Sequence, residues 1–153
     1  MQQRTTSEWS RTVSPGGTKR VRLLIEDPSA VWFEDFARFR ACGFEVAVCT
    51  GPQFGGCPLV EGDGCDLVDD ADIVMWALDP REPQSRAVLR LLREHDREKP
   101  VVVRVPPAGF GDDELLGHTN LVRANASIEE SVIVLRRALD GDASSDQPDL
   151  AVT

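Results

Sequence analysis

Apolar and polar positions along the chain switch repeatedly between a period suited to strands and one suited to helices. Val21–Ile25 is a short apolar run, the pattern of a strand buried on both faces, and it stops at Glu26-Asp27-Pro28-Ser29. Ser29 can cap the helix that follows, because Trp32, Phe33, Phe36 and Phe39 then recur at helical spacing. Gly43 suits the left-handed turn after that helix, and Phe44–Cys49 is the second strand. Ile73–Ala77 is the third strand, followed by an amphipathic helix with Val88, Leu91, Leu92 and His95 on one face. Pro100 opens a fourth strand at Val101–Val105, a helical turn is predicted near Asp112–Leu116, and Asn120–Arg123 is the fifth strand. Ser127 begins the last helix, forms a capping box with Glu130, and is followed by the buried stripe Ile128, Val132, Leu135 and Leu139.

Strands alternating with helices build a parallel sheet covered on both faces. At this length a doubly wound five-stranded α/β sheet of order 2-1-3-4-5 is the natural solution. One segment breaks the alternation. Thr50 to Cys65 carries five glycines and two prolines, so a regular helix is not expected there. A long loop with one helical turn around Leu67–Asp70 is predicted instead. Residues 1–19 and 140–153 are polar and read as disordered tails, which leaves residues 20–139 as the single domain.

Composition narrows the function. The 153 residues carry a net charge of −9, and acids outnumber bases within the predicted domain as well. Such a field repels phosphate backbones and anionic lipid, so neither nucleic acid nor membrane is an expected partner. No apolar run is long enough to cross a bilayer, and the first twenty residues lack the apolar centre of a signal peptide; a cytoplasmic location is expected.

Three stretches together resemble the receiver domains of bacterial response regulators. VRLLIEDPSAVWFEDFARFRACGFEV has a strand, an acid pair, a helix and a Gly-Phe leading into the second strand. ADIVMWALDP is similar to the central strand and its turn, and NLVRANASIEESVIVLRRAL to the last strand and helix. The resemblance covers roughly residues 20–140 and implies a flavodoxin-like three-layer sandwich, with the second helix replaced by the Gly/Pro-rich loop. It also implies a site. A receiver uses an acid pair to hold Mg²⁺, an aspartate to take the phosphoryl group, a hydroxyl to sense it and a lysine to pair with it. Here the acid pair falls on Glu26 and Asp27. The acceptor falls on Ala77, or on Trp76 when counted back from Pro80. The hydroxyl falls near Val105, and the lysine on Arg123. Three of the four parts are therefore altered. Metal binding is not expected at this site, where Glu26 and Asp27 are weak candidates, and Arg123 can serve as their counter-charge. Asp79, beyond the acceptor position, is expected to face solvent or cap a turn.

The resemblance thus implies a phosphorylation-independent pseudo-receiver, not an enzyme and without a cofactor. It would bind a protein or a second copy of itself through residues 120–139, with Arg136 and Arg137 as polar anchors. The four cysteines open another reading. Cys42 and Cys49 are expected to be buried thiols, whereas Cys57 and Cys65 flank a loop that buries little and could form a redox pair or half of a metal site. A third reading places a small molecule in the cleft at the carboxyl ends of the strands. No phosphate-binding loop, nucleophile elbow or calcium loop is present, and His95 and His118 are isolated, with His95 expected to pack.

Overall fold

The computed structural model describes residues 20–28, 35–54, 57–95, 98–106 and 120–141. The predicted helix start at Ser29, with Trp32 and Phe33, the turn at 112–116, His118, the tail 1–19 and residues 142–153 of the other tail lie outside them.

The chain runs β1 (Val21–Glu26), α1 (Phe36–Ala41), β2 (Phe44–Cys49), a 3₁₀ turn (Gly51–Phe54), α2 (Asp66–Asp70), β3 (Ile73–Trp76), α3 (Pro83–His95), β4 (Val101–Val105), β5 (Asn120–Arg123) and α4 (Ile128–Leu139). The strands form one five-stranded parallel sheet of order β2-β1-β3-β4-β5, the predicted order. β3 lies at its centre and is buried along its whole length, which explains why Ile73-Val74-Met75-Trp76 has no polar alternation. β3 is one residue shorter than predicted, although the Ala77 amide still donates to the Glu26 carbonyl at 2.8 Å.

Side-chain alternation splits the core into two layers. Leu24, Ala47, Val74, Trp76 and Val103 pack with Leu67 and Val68 of α2 and Val88, Leu89 and Leu92 of α3. Leu23, Ile25, Val46, Met75 and Val102 pack on the other side with Phe39 of α1 and Ile128 and Leu135 of α4. α3 opens on Pro83, whose fixed φ and missing N–H suit the first helical position. Two glycines have conformations that other residues resist. Gly43 turns α1 into β2 at φ +97°, and a Cβ there would meet the Arg136 guanidinium at 2.9 Å. Gly51 follows β2 at φ +77°, and a Cβ there would meet Leu78 Cδ2 at 2.8 Å.

The predicted capping box of α4 is present. Ser127 Oγ accepts the Glu130 amide at 3.0 Å, and Glu130 Oε1 accepts the Ser127 amide at 2.8 Å. Ser127→Ala is expected to cost about 1 kcal/mol, read as a lowered urea midpoint at unchanged slope.

The glycine-rich segment differs from expectation. The helical turn is where it was predicted, as α2 at Asp66–Asp70, but the loop before it buries more than its composition announced. The amides of Glu61 and Asp63 donate to the carbonyls of Cys57 and Pro58 at 3.1 and 2.9 Å, winding a compact turn. Its apolar residues Cys57, Leu59 and Cys65 reach the layer beneath α2 and α3. Glycine and proline prevent a long regular helix, but they do not prevent a turn from covering the sheet.

Candidate functional site

Open α/β sheets place their chemistry beyond the carboxyl ends of the strands. There β1 ends in Glu26 and Asp27, which are only 3% and 9% exposed. The Asp27 amide donates to the Cys49 carbonyl at 2.9 Å and the Ala77 amide to the Glu26 carbonyl, so the ladder and its alternation persist one residue past the strands. Register then sorts the predicted residues. Glu26 pairs with Trp76, and Trp76 with Val103. One step further, Asp27, Ala77 and Arg104 form the next row across β1, β3 and β4, and Arg104 pairs with Val122 of β5. This row continues the α1/α4 side of the sheet, on which Ile25, Met75 and Val102 lie. Glu26, Trp76 and Val105 fall on the opposite side, where Trp76 and Val105 belong to the other layer. The five predicted pocket residues Glu26, Asp27, Ala77, Val105 and Arg123 therefore do not share one face.

Neither residue at the predicted acceptor position carries an oxygen nucleophile. Ala77 presents a methyl group. Trp76 is fully buried, and its indole N–H donates to the Ser85 carbonyl at 3.1 Å. The nearby Asp79 caps a turn, as its place before Pro80 indicated. Its Oδ1 accepts from the Arg81 amide at 2.9 Å and Nε at 3.1 Å, and these bonds hold its carboxyl below the usual range.

The basic residue at this end of the sheet is not the expected one. Arg123 is exposed, and its side chain makes no ion pair with the described residues. Arg104 is half-buried instead, and one Nη donates to the Ala124 carbonyl in the turn after β5. Burial pulls its pKa below the usual arginine range, while the carboxylates of Asp27 and Asp35 oppose that pull. Sequence reasoning overlooked Arg104 because it sits inside the apolar run Val101–Val105. The signal was there: a lone cation in a buried strand needs an acid nearby.

Other expectations change as well. Cys57 and Cys65 were expected on an exposed loop; both are buried free thiols, at 8% and 9% exposure, because their turn folds onto the sheet. Cys49 is buried as expected, with its sulfur accepting the Gly51 amide at 3.4 Å, whereas Cys42 is only half-buried. Among the described residues, no group of three His, Cys, Asp or Glu side chains could hold a metal ion. His95 does not pack. It lies exposed at the end of α3, with Nε2 3.0 Å from Asp69 Oδ1 of α2. Arg136 is already engaged within the domain, stacking 5.0 Å from the Phe44 ring centroid and donating to the Cys42 carbonyl. Among the described residues no helix is long and apolar enough to cross a membrane.

The fold defined by this sheet order is that of the CheY-like receiver domains, and solved structures of that class superpose on most of the chain. A CheY-like receiver domain protein from Methanospirillum hungatei is similar at a TM-score of 0.61 and 11% identity, covering 80% of this chain and 95% of its own. A response regulator receiver protein from Sinorhizobium medicae is similar at a TM-score of 0.61 and 18% identity, with 80% and 96% covered. The beryllofluoride-activated NtrC receiver domain is similar at a TM-score of 0.54 and 14% identity, with 81% and 97% covered. No protein-family model and no curated protein matches the sequence.

The strand-end residues fit a divalent ion poorly. Mg²⁺ demands six oxygen ligands in near-octahedral array, usually with carboxylates and phosphate oxygens among them. Here the acid pair is split between the two sides of the sheet, the middle of the row is Ala77, and the residue on β4 in that row is the arginine Arg104.

Proposed function

We propose that the chain is a receiver-fold regulatory module that takes no phosphoryl group at its strand end and acts by binding another protein. One observation carries the reading: the row that continues the ladder past β3 has Ala77 where an in-line attack would need a carboxylate. Phosphoryl transfer to protein requires an oxygen nucleophile and a means of neutralising charge. Ala77 lacks the first, and Trp76, the other residue at that position, is committed to Ser85. Asp79 is engaged by Arg81 in an exposed turn. Without group transfer, the reading we favour for such a scaffold is recognition of another protein. The face formed by β5 and α4 is the proposed contact surface, for a protein partner or a second copy. On α4, Ile133 is the exposed large hydrophobic residue, 54% accessible, and Arg137 lies exposed near it. Arg136 contributes less to that face than the sequence implied, because it holds α4 to the start of β2.

Incubation with acetyl phosphate and Mg²⁺ tests the reading. The intact mass is expected to stay unchanged. A stoichiometric phosphoryl adduct mapped to an aspartate would overturn it.

A further inference from the structure

The two flanks of α4 are used differently. Glu129 and Arg136 lie toward α1 and are engaged inside the domain: Glu129 pairs with Arg38 at 3.0 Å, and Arg136 stacks on Phe44 and donates to the Cys42 carbonyl. Glu130 and Arg137 each follow one of them by a single residue, which turns them about 100° further round the axis. Between the flanks stands exposed Ile133, opposite the buried stripe of Ile128, Ser131, Leu135 and Ala138. The second flank therefore presents Glu130, Ile133, half-buried Val134 and Arg137, on a helix packed against the edge strand β5. Among the described residues Arg137 makes no hydrogen bond or ion pair. The Glu130 side chain accepts only the Ser127 amide of its capping box, a bond that holds its carboxylate in place.

These four positions are symmetric along the helix. Glu130 stands three places before Ile133, and Arg137 three places after Val134, so their midpoint falls between Ile133 and Val134. A twofold axis through that midpoint lays a second α4 antiparallel to the first. Each Glu130 then meets the Arg137 of the other copy, and each Ile133 meets a Val134, so every contact occurs twice. The helix dipoles oppose each other favourably in the same arrangement. A parallel pair would set like charges face to face.

We propose that this flank of α4 binds a second copy of the chain, antiparallel, with Ile133 and Val134 at the centre and a Glu130–Arg137 pair at either end. The inference rests on the reading of the domain as a recognition module, and it names the partner. α4 has 12 residues and is about 18 Å long, so a helix pair lies at the small end of specific interfaces. The net charge of −9 on each copy also opposes association. The dimer is therefore reversible and forms as concentration rises.

Sedimentation equilibrium of the full chain tests the pairing. The wild type is expected to pass from monomer to dimer with concentration. Ile133→Glu, Glu130→Arg and Arg137→Glu are each expected to weaken self-association at least about tenfold. An equimolar mixture of Glu130→Arg and Arg137→Glu is expected to form a heterodimer, because one copy then carries two cations on the stripe and the other two acids. A wild type that stays monomeric up to about 1 mM would overturn the proposal. So would a dimer indifferent to Ile133→Glu and Arg137→Glu, or a mixture that fails to associate. Should Glu130→Arg not fold for want of its cap, Glu130→Gln keeps the capping box and removes the charge. Added to Arg137→Glu, it is expected to recover part of the lost association, and no recovery would count against the register. A phosphoryl adduct on a chain that still pairs through α4 would sink the functional reading alone. A chain that resists acetyl phosphate and stays monomeric would sink the pairing alone.

Discussion

Replacing Trp76 with alanine is expected to lower the unfolding free energy by about 3–5 kcal/mol, read from urea denaturation. Trp76 ends the central strand with its ring wholly inside the layer formed by Leu24, Val74, Val88 and Val103. Truncation removes that apolar contact and leaves a cavity that strands on both sides prevent from collapsing. It also removes the indole hydrogen bond to the Ser85 carbonyl in the first turn of α3, which adds to the loss. Trp76 is one of the two residues on which the sequence resemblance puts the acceptor, and a carboxylate placed there would enter this apolar layer with no cation provided for it. Trp76→Asp is expected to unfold the domain rather than restore phosphoryl chemistry.

Phe44→Ala is the second large effect, again about 3–5 kcal/mol by the same measurement. Phe44 opens β2 and is fully buried. Its ring meets Phe39 of α1 edge-on, with centroids 6.3 Å apart, and lies beneath the Arg136 guanidinium of α4. One side chain thus joins the sheet to both helices on this side. Gly43 makes the junction possible, since a side chain in its place would press on Arg136. Near-ultraviolet circular dichroism should lose aromatic signal in this variant while the α2/α3 side of the sheet keeps its helical content. The Arg38–Glu129 pair, with both oxygens at 3.0 Å, joins the same two helices but is exposed and contributes little by comparison.

The sheet and its order were legible because each buried strand is a short apolar run and each described helix has a regular stripe. The Gly43-Phe44 step and the Ser127–Glu130 box were equally readable, being local chemistry with fixed spacing. The stretch from Gly51 to Cys65 was read correctly as lacking a long helix and incorrectly as burying little. Glycine and proline content reports on backbone regularity, whereas burial there is set by Cys57, Leu59 and Cys65 meeting a sheet formed by distant residues. The strand-end site was partly legible. The acid pair and the alanine could be placed by counting, but which of them share a side depends on parallel register, which brings together residues some fifty and some seventy-five positions apart. That register separates Glu26 from Asp27 and puts Arg104 of β4, not Arg123 of β5, in the row of Asp27. Arg104 and Arg123 are both reasonable counter-charges in the sequence; only the half-burial of one and the exposure of the other distinguish them.

The decisive measurement is ¹⁹F NMR of the wild-type chain in Mg²⁺ and beryllofluoride, the reagent that activates the NtrC receiver domain to which this fold is similar. Only the resonances of free fluoroberyllates are expected, with the protein's amide spectrum unchanged. A protein-bound beryllofluoride resonance that requires Mg²⁺ and disappears in Asp27→Asn would contradict a receiver fold that works without an acceptor carboxylate.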